Sequence, residues 1–445
     1  MMFALIVVPA LGLFFGVHRY LWCRLVRDTT APDSRLRRTG ALVLSALALI
    51  AFAALLAGRA GLPFPLQQAL AWPGYLWLAL VLYLTVALLA GEVVRAVWQR
   101  LPTARKRETA RKAETARKGD DHAPEDRAAS ASASASTPAP APSPPPSPSP
   151  APSATPTLLP PHTPALPPLP TPPRRLFIAR AVAAGASLAA TAAVGYGTAT
   201  TFRGPAVKRI TVPLAKLPRA AHGFRIAVVS DIHLGPILGR AHTRRVVETI
   251  NRTDPDLVAI VGDLVDGSVA DLAPAAEPLR SLRSRYGAYF VSGNHEYYSG
   301  AAPWVEHVRE LGIHPLENAR TELPGFDLAG VNDLAGETDH AGPDYDLALG
   351  DRDPARAVVL MAHQPVTIHD TVRYGVDLQL SGHTHGGQMW PFTYVAAATN
   401  PTVAGLERYG DTQLYVTRGA GAWGPPVRLG APPDVTVVEL ASLRA

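Results

Sequence analysis

The chain has 445 residues, of which 42 are basic and 36 acidic, with 44 prolines and a single cysteine. A hydrophobic fraction of 47% excludes a wholly disordered chain, and the lone Cys23 excludes both a disulfide framework and a four-cysteine zinc site. The net charge of +6 hides an uneven distribution, because residues 1–201 carry a net +11 and residues 202–445 a net −5. The two halves are therefore interpreted separately.

Residues 1–100 predict a membrane region with three transmembrane helices. The uncharged apolar runs are 1–17, 40–58 and 60–91, and each can cross a hydrocarbon layer that needs about 20 residues. Buried helices of a soluble domain and, for the first run, a cleaved signal peptide are the alternatives. The loop after the first run holds six arginines and the next loop holds only Arg59, so the positive-inside rule places the N-terminus outside the cytoplasm.

Residues 101–173 predict a disordered linker that is first charged and then rich in Pro, Ala and Ser. In residues 128–173, 18 of 46 residues are proline, which cannot build a packed core. Residues 174–202 follow as a fourth transmembrane helix or a Tat-like export signal, because Arg174 and Arg175 precede a weakly apolar stretch. Both interpretations place residues 203–445 outside the cytoplasm.

Short apolar runs that alternate with amphipathic segments predict an α/β domain over residues 203–445. The predicted strands are 225–230, 257–261, 288–292, 357–361, 378–380, 414–417 and 435–439, and the predicted helices are 240–252, 274–284 and 303–311. Polar residues follow five of these strands directly. Ligands bind outside the carboxyl ends of strands in open α/β sheets, so these polar residues are expected at one rim.

Five motifs occupy those strand ends. They are Asp231-Ile232-His233, Gly262-Asp263, Gly293-Asn294-His295-Glu296, His363 with Gln364, and Gly382-His383-Thr384-His385. Each alone has an ordinary explanation, such as a capped turn or a core histidine. Together they offer carboxylate and amide oxygens and imidazole nitrogens without a thiolate, which suits Mn²⁺, Zn²⁺ or iron. The order and the placement of the five motifs therefore predict a metal site.

These motifs resemble the calcineurin-like metallophosphoesterase superfamily, most of all its small bacterial branch of membrane-associated, often Tat-exported phosphoesterases. The resemblance covers roughly residues 222–441. It implies an α/β fold, a four-layer α-β-β-α sandwich, here preceded by an all-α multi-span membrane region. It also implies two divalent metal ions as cofactors.

By the same resemblance, one ion is bound by Asp231, His233 and His385, the other by Asn294, His363 and His383, and Asp263 bridges the two. His295 would contact the scissile phosphate and protonate the leaving oxygen. Asp266 and Glu296 are expected to support the ligands rather than bind metal.

The sequence thus predicts a membrane-anchored phosphoesterase that acts outside the cytoplasm. Its substrate would be a phosphomonoester, a phosphodiester or a lipid-linked phosphate, hydrolysed by a metal-activated water. The alternatives are a nuclease of the same superfamily, against which the acidic domain argues, and a non-catalytic metal-binding membrane scaffold, which a degenerate ligand set would favour. A transport role has little support, because the three apolar runs contain no Asp, Glu or Lys.

Overall fold

The computed structural model describes residues 2–100 and 174–443 of the chain. Within this part, residues up to 91 and from 175 onward belong to one compact unit. The predicted linker, residues 101–173, lies outside the described residues.

The N-terminal region is helical. Its helices are α1 (Met2–Leu21), α2 (Arg35–Ala57), α3 (Phe64–Arg100) and α4 (Arg174–Arg203). Three segments of the described chain are long and apolar enough to cross a membrane, namely Arg35–Ala57, Phe64–Val94 and Arg175–Arg203. They coincide with the second, third and fourth predicted spans, whereas a membrane-spanning role for α1 stays a prediction.

Small residues let these helices approach closely. Ala51 of α2, Ala79 of α3 and Ala190 of α4 are buried in one shared apolar cluster. In contrast, the side chains of Leu49 and Leu188 are exposed. This arrangement, with small residues between helices and large apolar ones outside, is typical of membrane helix bundles.

The two ends of α4 contact different parts of the chain. Residues 19–38 run from the end of α1 into the start of α2, hold six arginines and include a π-helix at Trp22–Arg27, and they are called the arginine-rich turn. Near the start of α4, Arg180 donates a hydrogen bond from Nε to the carbonyl oxygen of Thr29 in this turn (3.0 Å). At the other end of α4, Phe202 stacks on Trp72, with 5.6 Å between ring centroids. The α/β domain follows Phe202 along the chain. The domain and the arginine-rich turn therefore lie at opposite ends of α4.

The α/β domain contains two six-stranded sheets in its described residues. The strands are β1 (Ala206–Leu214), β2 (Phe224–Val229), β3 (Leu257–Val261), β4 (Ala288–Val291), β5 (His314–Pro315), β6 (Ala319–Leu323), β7 (Phe326–Gly330), β8 (Ala357–Met361), β9 (Leu378–Ser381), β10 (Gly405–Tyr409), β11 (Thr412–Val416) and β12 (Asp434–Ser442). The sheet orders are β1-β12-β2-β3-β4-β5 and β10-β11-β9-β8-β7-β6. Most neighbouring pairs are parallel, so several carboxyl ends meet at one rim.

The α/β domain contains seven α-helices in its described residues, some of which cover the outer faces of the sheets. They are α5 (Arg240–Asn251), α6 (Val269–Ala276), α7 (Asn294–Ser299), α8 (Ala301–Glu310), α9 (Tyr345–Leu349), α10 (Ile368–Thr371) and α11 (Phe392–Thr399). Buried side chains from both sheets, such as Val228 of β2 and Val359 of β8, share one core. Trp304 of α8 packs on the outer face of the first sheet and Leu349 of α9 on that of the second. The predicted four-layer α-β-β-α sandwich is confirmed.

Some predicted elements were wrong or missing. The helix predicted at 274–284 instead begins at Val269, where Ser268 caps it by accepting the backbone N–H of Asp271. It is α-helical to Ala276 and continues as a 3-10 helix over Glu277–Ser281, so the predicted range is helical only in part. Five of the described strands, β1, β5, β6, β7 and β10, were not predicted. β6 and β10 lie at sheet edges and are largely solvent-accessible, so their sequences lack the continuous apolar run of a central strand.

Candidate metal centre

The seven predicted ligands lie together at the rim formed by β2, β3, β4, β8 and β9. Among the described residues, three groups of side chains have ligand atoms within 4.8 Å of one another. The first group is Asp231 with His233 and His385, the second is Asp263 with His363 and His383, and a further group joins His233 to Asp266 and His295. The Oδ1 atom of Asn294 lies 3.0 Å from Nδ1 of His383 and so joins the second group. The predicted ligands thus lie close together, and their division between two ions stays a prediction.

One carboxylate oxygen links the first and second groups. The Oδ2 atom of Asp263 lies 3.1 Å from Nε2 of His363 in one group and 3.7 Å from Nε2 of His233 in the other. The facing imidazoles outweigh the effect of burial on Asp263 and lower the pKa of its carboxyl to about 2. The carboxylate is thus positioned to be shared by two cations.

The tautomer of His363 tests whether a cation fits. Its Nδ1 lies 2.8 Å from the carbonyl oxygen of Val261, and because a carbonyl only accepts, Nδ1 carries the proton. In a neutral ring, the Nε2 lone pair then faces the Asp263 carboxylate, and this buried Nε2 has no hydrogen-bond partner in the described part of the chain. Two acceptors at this distance repel each other unless a proton or a cation lies between them. The donor set therefore fits a metal ion.

The first group shows the same pattern around Asp231. Its carboxylate accepts the backbone N–H of His383 (3.0 Å) and lies 3.2 Å from Nε2 of His385. Burial would raise the pKa of Asp231, but the imidazoles of His385, His363 and His233 hold it well below its usual range. A full negative charge is therefore kept where a cation would be bound.

A buried guanidinium fixes the ring of His385. Arg428 is 1% exposed, and it donates hydrogen bonds to the His385 carbonyl oxygen (2.9 Å) and to Nδ1 of the same residue (3.0 Å). Because a guanidinium only donates, a neutral His385 carries its proton on Nε2, toward Asp231. A cation bound at Nε2 would replace that proton, as metal binding to imidazoles usually does.

Five of the seven ligands have a backbone conformation that non-glycine residues rarely adopt. Positive φ angles of 49° to 70° occur at Asp231, His233, Asp263, His383 and His385. Such a residue costs on the order of 1 kcal/mol and persists only when its surroundings hold it in place. Here the backbone N–H of Asp231 is bonded to the carbonyl of Gly262 and that of His233 to the carbonyl of Asp263. Strand-end loops thus hold the side chains in place before any ligand binds.

The predicted catalytic residue, His295, lies beside the first group. Its Nδ1 is 2.6 Å from Oδ1 of Asp266, and its ring meets that of His233 edge-to-face at 4.8 Å. Asp266 also accepts from Nδ1 of His233 (3.1 Å), so one carboxylate orients two imidazoles. Burial lowers the pKa of His233, but Asp266 and the neighbouring carboxylates raise it to about 9.

Glu296 supports the loop after β3. Its buried carboxylate accepts the backbone N–H groups of Gly293 (2.6 Å), Leu264 (2.7 Å) and Asp263 (2.9 Å). Burial and the neighbouring Asp263 raise the pKa of Glu296 to about 7. Glu296 therefore connects the loops after β3 and β4 and does not belong to any of the three groups of ligand atoms.

Two residues of the centre were not found from the sequence. Arg428 lies in a Gly- and Pro-rich loop with no periodic signal, so nothing marked it. Asp333 is buried, accepts from the amide of Gln364 (2.9 Å) and follows β7. The strand-end rule could have found Asp333, but β7 itself was not predicted.

Comparison with known proteins agrees with the fold and the site. The family profile described as calcineurin-like phosphoesterase matches residues 224–387. A Bacillus subtilis protein named uncharacterized metallophosphoesterase YkuE is 31% identical over 283 residues, which cover 60% of this chain and 98% of that protein. An uncharacterized metallophosphoesterase of Aquifex aeolicus is 33% identical over 53% of this chain and 91% of its own length.

A vertebrate protein is similar over a smaller share of its length. The Danio rerio transmembrane protein with metallophosphoesterase domain is 38% identical over 259 residues, which are 55% of this chain and 59% of that protein. This chain thus spans less than two thirds of that relative. A mixed α/β sandwich with clustered Asp and His side chains defines a metallophosphoesterase domain. The chain belongs to the calcineurin-like phosphoesterase family.

Proposed function

We propose that this protein is a membrane-anchored phosphoesterase with a centre for two divalent ions, such as Mn²⁺, Zn²⁺ or iron. Asp231, His233 and His385 would hold one ion, and Asn294, His363 and His383 the other. The observation that carries the proposal is the position of Asp263 Oδ2, which faces an imidazole of each group at 3.1 and 3.7 Å. Bound there, the ions would activate a water and offset charge on a phosphoryl oxygen.

The chain's own residues supply orientation and a proton. Asp266 accepts the Nδ1 proton of His295, which turns Nε2 toward the open side of the centre. A protonated Nε2 there would donate to the oxygen that leaves phosphorus, which typically accelerates such a reaction by about 10²–10⁴-fold. The substrate would be a phosphomonoester, a phosphodiester or a lipid-linked phosphate.

The catalytic domain would lie on the extracytoplasmic side of the membrane. The arginine-rich turn between α1 and α2 lies at the end of α4 opposite to the domain. Because arginine-rich loops stay in the cytoplasm, the other end of α4 and the domain after it lie outside.

Metal content and turnover of the full chain in nanodiscs test the proposal. With Mn²⁺, Asp263→Ala should lose metal and hydrolysis of bis-p-nitrophenyl phosphate together, because it removes the shared carboxylate. His295→Ala should keep its metal and lose about 10²–10⁴-fold in turnover.

Asp411→Ala is the matched control, since Asp411 is an exposed carboxylate on the turn between β10 and β11. It should resemble the wild type in both measurements. Retention of two ions per chain by Asp263→Ala would contradict the shared site. Two bound ions with no turnover of any phosphate ester would favour the scaffold function.

A further inference from the structure

An uncharged segment follows the last metal-centre motif. No Asp, Glu, Lys, Arg or His occurs in residues 386–406, and this segment contains helix α11. Helix α11 buries none of its residues, and Phe392, Val395 and the 70% exposed Tyr394 project from it. Trp390, just before the helix, is exposed as well. A helix of a soluble domain usually buries an apolar face, and this one does not.

The exposed segment is continuous with the membrane helices. Met389 and Val427 are buried in the same apolar cluster as Val194 of α4. The backbone N–H of Trp390 donates to the carbonyl of Leu429 (2.8 Å). Next to it, the backbone N–H of Arg428 donates to the carbonyl of Gly197 in α4 (3.0 Å). Helix α11 thus begins where the domain touches the end of a candidate membrane span.

The same surface reaches the rim of the metal centre. Trp423 is 57% exposed, and its ring centroid lies 5.7 Å from that of His295. The exposed ring of Tyr298 lies 5.4 Å from His295 on the same rim. The side chain of Gln388, just before Met389, is bonded to the backbone N–H and carbonyl oxygen of Trp423 (both 2.9 Å). Aromatic side chains therefore connect the end of the membrane helices to the mouth of the site.

We propose that Trp390, Phe392, Tyr394, Val395 and Trp423 form a membrane-docking surface. Trp and Tyr rings settle at the level of lipid headgroups, and a segment without charges has no ion to desolvate there. Docked in this way, the mouth of the metal centre opens onto the headgroup layer. The substrate class is then a phosphate ester carried by a membrane lipid. This inference rests on the proposed function, whose membrane anchor and phosphoesterase centre it uses.

Spin labels on the full chain in nanodiscs test the docking surface without any catalysis. With the native cysteine removed by Cys23→Ser, a label is attached at Tyr394→Cys or, as a control, at Leu347→Cys. Leu347 is also an exposed apolar residue (67%), but it lies on α9, which packs beside β6 and β7 at the far edge of the second sheet from β10.

The label at residue 394 should be reached by oxygen, which dissolves in lipid, more readily than by a water-soluble nickel complex. The label at residue 347 should show the reverse. Equal accessibility at the two positions would overturn the proposal. Shielding of residue 394 from both reagents would also overturn it, because a second copy of the chain or another protein would then cover the surface.

Turnover distinguishes this inference from the proposed function. Vesicles of phosphatidylcholine, phosphatidylglycerol and phosphatidic acid offer both diester and monoester phosphates in a bilayer. The double variant Phe392→Ser/Tyr394→Ser should hydrolyse vesicle lipid roughly tenfold more slowly than the wild type, because two apolar side chains no longer enter the bilayer. Its turnover of soluble bis-p-nitrophenyl phosphate should be unchanged, as should both activities of Leu347→Ser.

Equal losses on both substrates, or no loss on vesicles, would overturn the docking surface. A wild-type chain that hydrolyses the soluble ester but none of the vesicle lipids would overturn the lipid substrate class. If the wild-type chain does not hydrolyse the soluble ester either, the proposed function is contradicted. The spin-label result does not depend on that outcome.

Discussion

The carboxylate of Asp266 connects the candidate proton donor to the metal ligands. It lies 2.6 Å from Nδ1 of His295 and 3.1 Å from Nδ1 of His233, and neither ring has another strong acceptor at that nitrogen among the described contacts. Such supporting carboxylates fix the tautomer and the direction of an imidazole. Asp266 therefore controls two rings without belonging to either predicted ligand set.

Replacing Asp266 by Asn should lower turnover more than it lowers metal content. The amide keeps the size of the side chain but removes the charge that both imidazoles face, so turnover of bis-p-nitrophenyl phosphate should fall by about 10–100-fold. Metal content should change less than in Asp263→Ala. Asp411→Asn is the control, and wild-type turnover in Asp266→Asn would contradict the orienting role.

A second residue makes the domain sensitive to acid. His242 is buried in α5, and neither ring nitrogen has a hydrogen-bond partner within the described ranges. Burial, together with the charges of Arg245 and Arg428, lowers the pKa of His242 to about 3. The unfolded chain takes up a proton on this residue as the pH falls through about 6.5, whereas the folded domain does not. The free energy of unfolding therefore decreases as the pH falls below about 6.5, because only the unfolded chain gains the proton.

His242→Leu should reduce that loss. At about pH 5 the neutral buried ring costs the folded state about 2 kcal/mol, and leucine cannot take up the proton. The melting temperature of the variant should fall less between neutral pH and about pH 5 than that of the wild type. His369→Leu, at an exposed position, should keep the wild-type acid response. If the melting temperature of His242→Leu falls by as much as that of the wild type, other groups cause the loss of stability in acid.

Single residues were predictable where they follow a strand that the sequence reveals. His363 follows β8 and Asp263 follows β3, and both strands are continuous apolar runs. Arg428 could not be found in this way, because its role comes from long-range packing against His385. The sequence identified side chains that cluster at the rim but not the hydrogen bonds that orient them.

The loop between β11 and β12 joins a candidate membrane helix to the candidate metal centre. Gly197 of α4 accepts a hydrogen bond from the backbone of Arg428, whose guanidinium holds His385. A Cβ atom at Gly197 would overlap the side chain of Val427 and lie 3.3 Å from the backbone nitrogen and oxygen of Arg428. Only glycine permits this approach.

Gly197→Val should therefore weaken the distant metal centre. Displacement of the loop moves Arg428 away from His385, so metal retention and turnover of bis-p-nitrophenyl phosphate should fall, by about 10-fold or more. Gly195→Val, two residues earlier on the same helix, has no atom within 4 Å of the added Cβ and should resemble the wild type. Equal metal retention and turnover in the two variants would show that the loop accommodates the valine without moving Arg428.

Elements were predictable to the extent that both of their faces are buried. The central strands β2, β3 and β8 have nearly continuous apolar sequences because core lies on each side of the sheet. Strand β10 has a largely exposed pattern, and its position is determined by pairing with β11, which the local sequence does not show. The layer architecture was thus predictable, and the edges of the sheets were not.

The proposed topology predicts that Cys23 and residue 347 lie on opposite sides of the membrane. The one native cysteine, Cys23, lies in the arginine-rich turn, and Leu347 lies in the α/β domain at the other end of α4. A membrane-impermeant maleimide should label Leu347→Cys, made in a Cys23→Ser background, in intact spheroplasts. The wild-type chain should be labelled only after permeabilisation, since the proposed topology places Cys23 on the cytoplasmic side.

The single variant Cys23→Ser should not be labelled under either condition. Labelling of Cys23 in intact spheroplasts together with protection of residue 347 would invert the proposed topology. The same outcome would place the phosphoesterase centre in the cytoplasm without changing its chemistry.

The strand that leaves the membrane anchor has a consequence for the order of folding. β1 follows α4 directly, and all nine of its residues pair in parallel with β12, the last of the described strands. β12 also separates β1 from β2 in the first sheet. Such distant pairing forms late, because the intervening chain must be ordered first. The domain therefore cannot close while β12 is still on the ribosome or on the opposite side of the bilayer. Its assembly is completed only after both strands have reached the same compartment.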